Sequence, residues 1–540
     1  MKKWSVVIVL GCAQFVMVLD GTVMNVSIST VVKDLHTTVT AMQAAITFYT
    51  LTMAAFMLLG AKLGDVWGRR NAFVIGSCVY ALGSLVTALS PTVQVLFLGW
   101  SIIEGLGAVL VIPAIAALVA ENYQGRARVS AYAIIGAVSG AAVAAGPLIG
   151  GFVTTYFNWR FVFAAEVVIM AAVVLFSRLI TDEGGREHVR IPVLSVLVSS
   201  VGLLLLVFGM LQTKTWGWIV PLKSPEIAGN AIAPLGISLA AWLMVAGGAL
   251  IYLFVRLQVR LVAAGRAPLV HVDMFSIRRL RSGLSVLGAQ YAVAAGLFFI
   301  VPVYLQMTLG LDALQTGLKI FPLSVSVILF SIVGTLLSRR WSPRRIVRVG
   351  QLVLVFGALL LLASVTPDLK SGFFAAGMFL AGIALGLLAS QLGNVNVSSV
   401  PEKQASEVGG LQGVFQNLGS SLGTALIGSI LIGALATSFA SGVASSDLPA
   451  ATKTSVSQQT QGGIAIVPAA SVSSIAEKSG LSTADANTLS TIYRDAELSS
   501  LRIAFFGLSL ISALSLLFSH GLPTEVAVGD RQRAEKKTPS

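Results

Sequence analysis

Between Val93 and Ala120 the chain carries one charged side chain, Glu104. Runs of this kind recur along the sequence. Each is near the ~20 apolar residues that a helix needs to cross a bilayer. Membrane-barrel strands alternate over ~10 residues, and in lipid only helices and closed barrels satisfy their own backbone. The runs therefore predict spanning helices near 5–31, 39–61, 72–90, 93–120, 128–153, 160–181, 191–212, 236–257, 283–309, 313–337, 345–365, 372–397, 409–436 and 499–520, fourteen in all. Charge is too scarce for the alternative of one large soluble core. Only 11% of residues are charged and 56% are hydrophobic, whereas soluble domains carry about 25% charged residues.

A net charge of +13 invites a nucleic-acid reading, but the placement of the charges opposes it. Lysines and arginines gather in every second connection: Lys62, Arg69 and Arg70; Arg126 and Arg128; Arg178, Arg186 and Arg190; Arg256 through Arg281; Arg339 through Arg348; Lys403; and the tail from Arg531 to Lys537. Such bias orients a bilayer protein with its basic loops in the cytoplasm. With Lys2 and Lys3, it places both termini there, in a cell membrane, and one span more or fewer would break the alternation. The first apolar run holds Asp20 and lacks an A-x-A cleavage site, so it reads as a retained span. Cys12 and Cys78 lie in apolar runs and are expected to be buried. The four histidines are scattered, so no metal site is expected. No G-x-x-x-x-G-K-[ST] loop and no Ser-His-Asp pattern occurs. The sequence thus predicts a non-enzyme without cofactors, driven by a gradient rather than by ATP.

Two long segments fall outside the spans. Residues 258–282 form a basic linker, and residues 437–498 form a loop rich in Ser, Thr and Ala, in which Thr483–Leu501 predicts a helix capped by Ser482 or Thr483. That loop is either a lid or partner contact, or a tolerated insertion. The tight basic turns AKLGDVWGRR (61–70) and GTLLSRRWSPRR (334–345) form a weak internal repeat. Repeated halves are a transporter signature, with the binding site between them. The expected organisation is a six-helix bundle over 1–181, an extra helix pair over 182–257, the linker, a second bundle over 283–521 and a tail over 522–540.

The segment LGAKLGDVWGRR (59–70) resembles the gating loop motif of the major facilitator superfamily. Leu63, Asp65, Gly68, Arg69 and Arg70 match it, and Ala61 stands where glycine is usual. AGPLIGG (145–151) is similar to the motif of the exporting, antiporter branch, with Gly146, Pro147, Gly150 and Gly151 in place. LDGTVMNVSIS (19–29) resembles the first-span motif of fourteen-helix drug:H+ antiporters through Asp20, Thr22 and Asn25, although Ser29 replaces the usual proline. NWRFVF (158–163) also looks like that family. The resemblance implies two six-helix bundles with two extra central helices, and proton-driven multidrug efflux. One departure stands out. Where the family's fourth span has R-x-x-Q-G, this chain has SIIEG (101–105), so Ser101 replaces the proton-relay arginine and Glu104 the glutamine.

A charge at mid-membrane costs roughly 2.5–3.5 kcal/mol on insertion scales. Three acids incur it: Asp20, Glu104 and Glu166. Desolvation favours the neutral acid, so a carboxylate whose hydration alternates with conformation takes up and releases a proton. Each also has another reading: Asp20 fixing helix packing, Glu104 lining the cavity or pairing with another helix, and Glu166 lying at the interface near Arg160. Asn25, Asn394, Asn396, Gln412 and Gln416 are candidates to line a substrate cavity, those of spans 12 and 13 equally to bind helices together, and Gln412 and Gln416 share a helix face. The reading is of a monomeric exporter exchanging protons for small amphipathic, cationic compounds. The alternatives are the same fold with a specialised cargo (a lipid, amino acid or secondary metabolite), or a membrane scaffold or sensor.

Overall fold

A computed structural model describes residues 2–181, 191–222, 224–227, 230–400, 405–450, 452–454, 456 and 466–525. The spanning helices are α1 (Lys2–Asp34), α2 (Val39–Trp67), α3 (Arg69–Ala88), α4 (Val93–Asn122), α5 (Gly125–Tyr156), α6 (Arg160–Phe176), α7 (Val193–Trp216), α8 (Leu239–Ala263), α9 (Arg278–Thr308), α10 (Ala313–Leu337), α11 (Pro343–Ser364), α12 (Ser371–Val397), α13 (Ala405–Ser445) and, after the short α14 (Ala469–Lys478), α15 (Thr483–Phe518). Among the described residues 13 helices are long and apolar enough to cross a membrane, and 14 if the bent α5 is one span. The bend, 43° between Val143 and Ala145, is explained by Pro147. Its ring lacks an N–H for the carbonyl four residues back. Arg186, Arg190, Lys403 and the tail beyond 525 lie outside the described residues.

Helices α1–α6 form one half, and α9–α13 with α15 form the other. Across the seam α2 packs on α13 and α5 on α10. Of the pair α7–α8, α7 lies against α2 and α13, and α8 packs on α7. Ser200 of α7 donates to the Ala55 carbonyl (3.0 Å) in one half, and Ser429 donates to the Met210 carbonyl (3.3 Å) from the other. Leu51, Val207, Leu211 and Ala425 fill the space between them.

The polar bonds joining the halves cluster away from the basic end of the helices. Gln306 donates to the Val26 carbonyl (2.6 Å) and accepts from the Ser29 backbone (3.2 Å). The Leu314 N–H donates to Thr155 Oγ1 (3.1 Å). Nearer mid-helix, buried Gln43 donates to the carbonyls of Thr424 and Ala425, and Ser421 to that of Thr47. Arg160 ties the same far end within the first half: it donates to Asp34 and to the Ser90 carbonyl and stacks on Trp159. The NWRFVF stretch thus clasps the ends of α1, α3 and α6.

One expectation needs correction. Cys12 and Cys78 are exposed, because a helix face turned to lipid is as apolar as one turned to a core. In the segment 437–498 the helix expected over Thr483–Leu501 is present, and α13 continues to Ser445. Ser482 caps α15 by accepting from the Asp485 N–H, and that helix runs unbroken into the last span. At 1.5 Å per residue, α13 is about 60 Å long, roughly twice the hydrocarbon core. Its projecting part is held by Phe439 against the Tyr493 ring edge (5.7 Å), and the Tyr493 hydroxyl accepts from the Val467 N–H (3.0 Å).

Gln306→Ala removes two bonds of the far-end seal, each worth about 1 kcal/mol. A cysteine placed at Ser29 is expected to label roughly tenfold faster with a membrane-impermeant maleimide in that variant than in the otherwise unchanged protein.

A buried carboxylate cluster as candidate functional site

Glycines set the site. A Cβ on Gly83 would fall 2.5 Å from the Glu104 backbone nitrogen, and one on Gly107 would fall 2.4 Å from that of Tyr80. Backbones of α3 and α4 therefore touch, as small residues permit in membranes, and Glu104 is carried against Tyr80 and Ser84. The segment Phe97–Glu104 of α4 is a π-helix. Such wider turns are frequent at functional sites, and this one carries Trp100, Ser101 and Glu104.

Asp20 of α1, Glu104 of α4 and Glu166 of α6 converge on one point. One carboxylate oxygen of each lies within 4.8 Å of the others. All three are buried, at 0%, 0% and 1% exposure, which rules out the interfacial reading of Glu166. The Trp100 indole N–H points at both Asp20 oxygens (3.0 and 2.9 Å), and its ring stacks on Tyr49 at 4.8 Å. The Ser84 hydroxyl lies 3.1 Å from Glu104 Oε2 and 3.2 Å from Glu166 Oε2. The remaining oxygen of each glutamate is buried without a hydrogen-bond partner.

Among the described residues no lysine or arginine forms an ion pair with these acids. Ser101, standing where the resemblance implies arginine, donates to the Ala45 carbonyl (2.8 Å) and ties α4 to α2. The cluster thus concentrates negative charge without a built-in cation, and it needs protons, a cationic solute or a metal ion to be neutral. Scattered histidines gave no hint of a metal-like oxygen set, which arises from three distant acids. Ser84, Trp100, Tyr49 and Tyr80 were not singled out in the sequence. Gly76 and Gly83, one heptad apart on α3, were the available signal of a close helix contact.

The two loop and helix motifs have separate places. Gly68 has φ 92°, closing α2 and opening α3 at once. Asp65 pairs with Arg69 (3.9 Å) and Lys62 (3.8 Å), Arg69 with Glu121 of α4 (2.7 Å), and Arg70 donates to the Ser177 carbonyl after α6 (3.1 Å). Leu63 lies on the same last turns of α2. These ties fasten α2, α3, α4 and α6 together at the basic end of the first half. Pro147 and its glycines form the seam instead. A Cβ on Gly146 would lie 1.8 Å from Thr22 Oγ1, and one on Gly150 would lie 2.9 Å from Val23 of α1. On the other side Gly151 abuts the Ala313 carbonyl and Gly317 the Pro147 carbonyl.

The proposed cavity residues do not share one wall. Asn396 is fully buried and wedged on Gly283 of α9, whereas Asn394 is exposed one helix face away. Gln412 is half-buried and binds α13 to α12 through the Gly393 carbonyl (3.3 Å). Gln416 and Asn25 are half-buried, Asn25 donating to the Gly21 carbonyl.

A profile described as Major Facilitator Superfamily matches residues 10–424. The chain belongs to that superfamily. This facilitator is 26% identical over 446 residues to a probable actinorhodin transporter of Streptomyces coelicolor, covering 80% of this chain and 73% of the relative. It is 27% identical over 531 residues to the tetracenomycin C resistance and export protein of Streptomyces glaucescens, covering 96% and 92%. Its fold matches a bacterial homologue of the human lysosomal transporter Spinster, in an inward-facing and occupied conformation, with a TM-score of 0.60, 15% identity and coverage of 96% and 97%. This facilitator is accordingly a multi-span membrane transporter of small molecules and not an enzyme.

Gly151→Val drives a side chain into the α10 backbone. Transport by this variant is expected to fall by roughly tenfold or more at unchanged membrane expression, since overpacking typically costs about 1–3 kcal/mol. Gly136→Val, where an added Cβ meets nothing within 4 Å, is the control expected to transport normally.

Proposed function

We propose that this facilitator is a proton-coupled exporter of small amphipathic, cationic compounds, acting as an antiporter from the cell membrane with both termini in the cytoplasm. The observation that carries this reading is the buried triad of Asp20, Glu104 and Glu166, with no basic partner among the described residues. A desolvated anionic site binds either protons or a cation, and competition between them gives obligatory exchange. Alternating access then needs the halves to rock about the seam. The glycine face of α5 is the sliding surface, and Asp65, Arg69 and Arg70 keep the basic ends of the first half together as it moves. Energy comes from the proton gradient, to which the membrane potential adds ~2.3 kcal/mol per charge per 100 mV.

Export, rather than uptake, is supported by AGPLIGG (145–151) and by a relative whose name includes export. That relative and the probable actinorhodin transporter bear the names of single compounds. They favour a second reading, in which the cargo is one secondary metabolite rather than many drugs. A panel of cationic dyes and uncharged aromatic antibiotics, offered to an efflux-deficient host expressing the chain, separates the two by the breadth of resistance.

Purified protein in liposomes under an imposed pH gradient is expected to move an ethidium-like cation against its own gradient. Asp20→Asn is expected to abolish that uphill movement with normal yield and elution. Wild-type uphill transport by this variant removes Asp20 from the mechanism.

A further inference from the structure

The hydrogen atoms around Ser84 can be counted. Its hydroxyl oxygen has three neighbours: Glu104 Oε2 at 3.1 Å, Glu166 Oε2 at 3.2 Å and the Tyr80 carbonyl at 3.2 Å. A serine hydroxyl has one hydrogen to donate and two lone pairs to accept with. A backbone carbonyl and an ionised carboxylate only accept. With both glutamates ionised, one hydrogen would face three acceptors, and two of the contacts would set lone pair against lone pair inside a site of 0–1% exposure. With both glutamates protonated, every contact is satisfied. Each carboxyl O–H donates to one Ser84 lone pair, and the Ser84 hydrogen goes to the Tyr80 carbonyl. The outer oxygen of each glutamate, buried without a partner, is then a neutral carbonyl, which tolerates that state far better than a charge does.

Asp20 is placed differently. Both of its oxygens face the Trp100 N–H, at 3.0 and 2.9 Å. Indole only donates, so neither oxygen requires a hydrogen of its own. The Tyr49 hydroxyl and Glu104 also face Asp20, and the Tyr80 hydroxyl faces Glu104; Asp20 is thus furnished with donors, while Glu104 and Glu166 share the single hydrogen of Ser84.

We propose that Glu104 and Glu166 are a two-proton store hinged on Ser84, that Asp20 is the standing anion which meets the cationic substrate, and that each cycle exchanges two protons for one substrate. This inference rests on the proton-exchange reading given above. It adds a stoichiometry and divides the roles of the three acids. For a monovalent cation the exchange carries one net positive charge inward as two protons enter and one cation leaves, so a membrane potential alone drives export.

The test is the steady-state ethidium gradient in proteoliposomes, with the potential clamped to zero by valinomycin and equal potassium, under a tenfold proton gradient. Two protons per cation sustain about a hundredfold ethidium gradient, and one sustains about tenfold. Glu104→Gln and Glu166→Gln keep a donor toward Ser84 and are each expected to reduce the gradient to about tenfold. A wild-type gradient of tenfold, or glutamine variants that keep the hundredfold value, overturns the two-proton store and leaves proton exchange standing. No pH-driven gradient at all removes the underlying reading together with this one. Uphill flux that follows sodium or magnesium instead of pH assigns the carboxylate oxygens to a metal ion, and overturns both. Infrared spectroscopy of the unmodified protein at neutral pH gives an answer independent of variant folding. Protonated-carboxyl C=O absorption from two groups shielded from solvent exchange is expected, and its absence overturns the store.

Discussion

Helices in lipid gain nothing by hiding apolar surface from one another, so close backbone contact is what joins them. This chain makes that contact with glycine at each place the proposed mechanism uses. Gly83 and Gly107 press α3 on α4 and bring Glu104 beside Ser84. Gly146 and Gly150 press α5 on α1, within one turn of Asp20, while Gly151 and Gly317 press α5 on α10 across the seam. Site and seam are therefore consequences of one packing rule. A bulky residue at any of these glycines would separate helices before it touched any chemistry.

The carboxylate cluster illustrates what low dielectric does to charge. Each acid alone would be a costly defect. Together, in one pocket and without a basic partner among the described residues, they form a concentration of acid that only protons or a cation can neutralise. Ser101, where the family resemblance implies an arginine, is a buried hydroxyl that donates to a carbonyl on α2, so at this position the chain has a neutral tie between α4 and α2 and no charge.

Spans were legible because hydropathy and basic loops report membrane crossing twice over, and the acids were legible because a charge within an apolar run is conspicuous. Their meeting was not. Asp20, Glu104 and Glu166 lie on three helices, and no local pattern states which faces of those helices turn together. Nor does composition separate lipid-facing from buried apolar positions, hence the exposed Cys12 and Cys78. Amide side chains in spans 12 and 13 were ambiguous for the same reason. Asn396 wedges on a glycine that only the folded chain places opposite it. Ser482 shows the opposite case, since a cap is a local feature and was readable as one of two adjacent positions.

The pair α7–α8 holds each half by a serine–carbonyl bond, Ser200 to Ala55 and Ser429 to Met210. It fences the seam of α2 and α13 from lipid. The seam of α5 and α10 has no such outlying helices beside it among the described residues. The bilayer therefore meets two unlike flanks: a helix pair covers one seam, and at the other lipid reaches the line where the bent, glycine-lined α5 is pressed against α10.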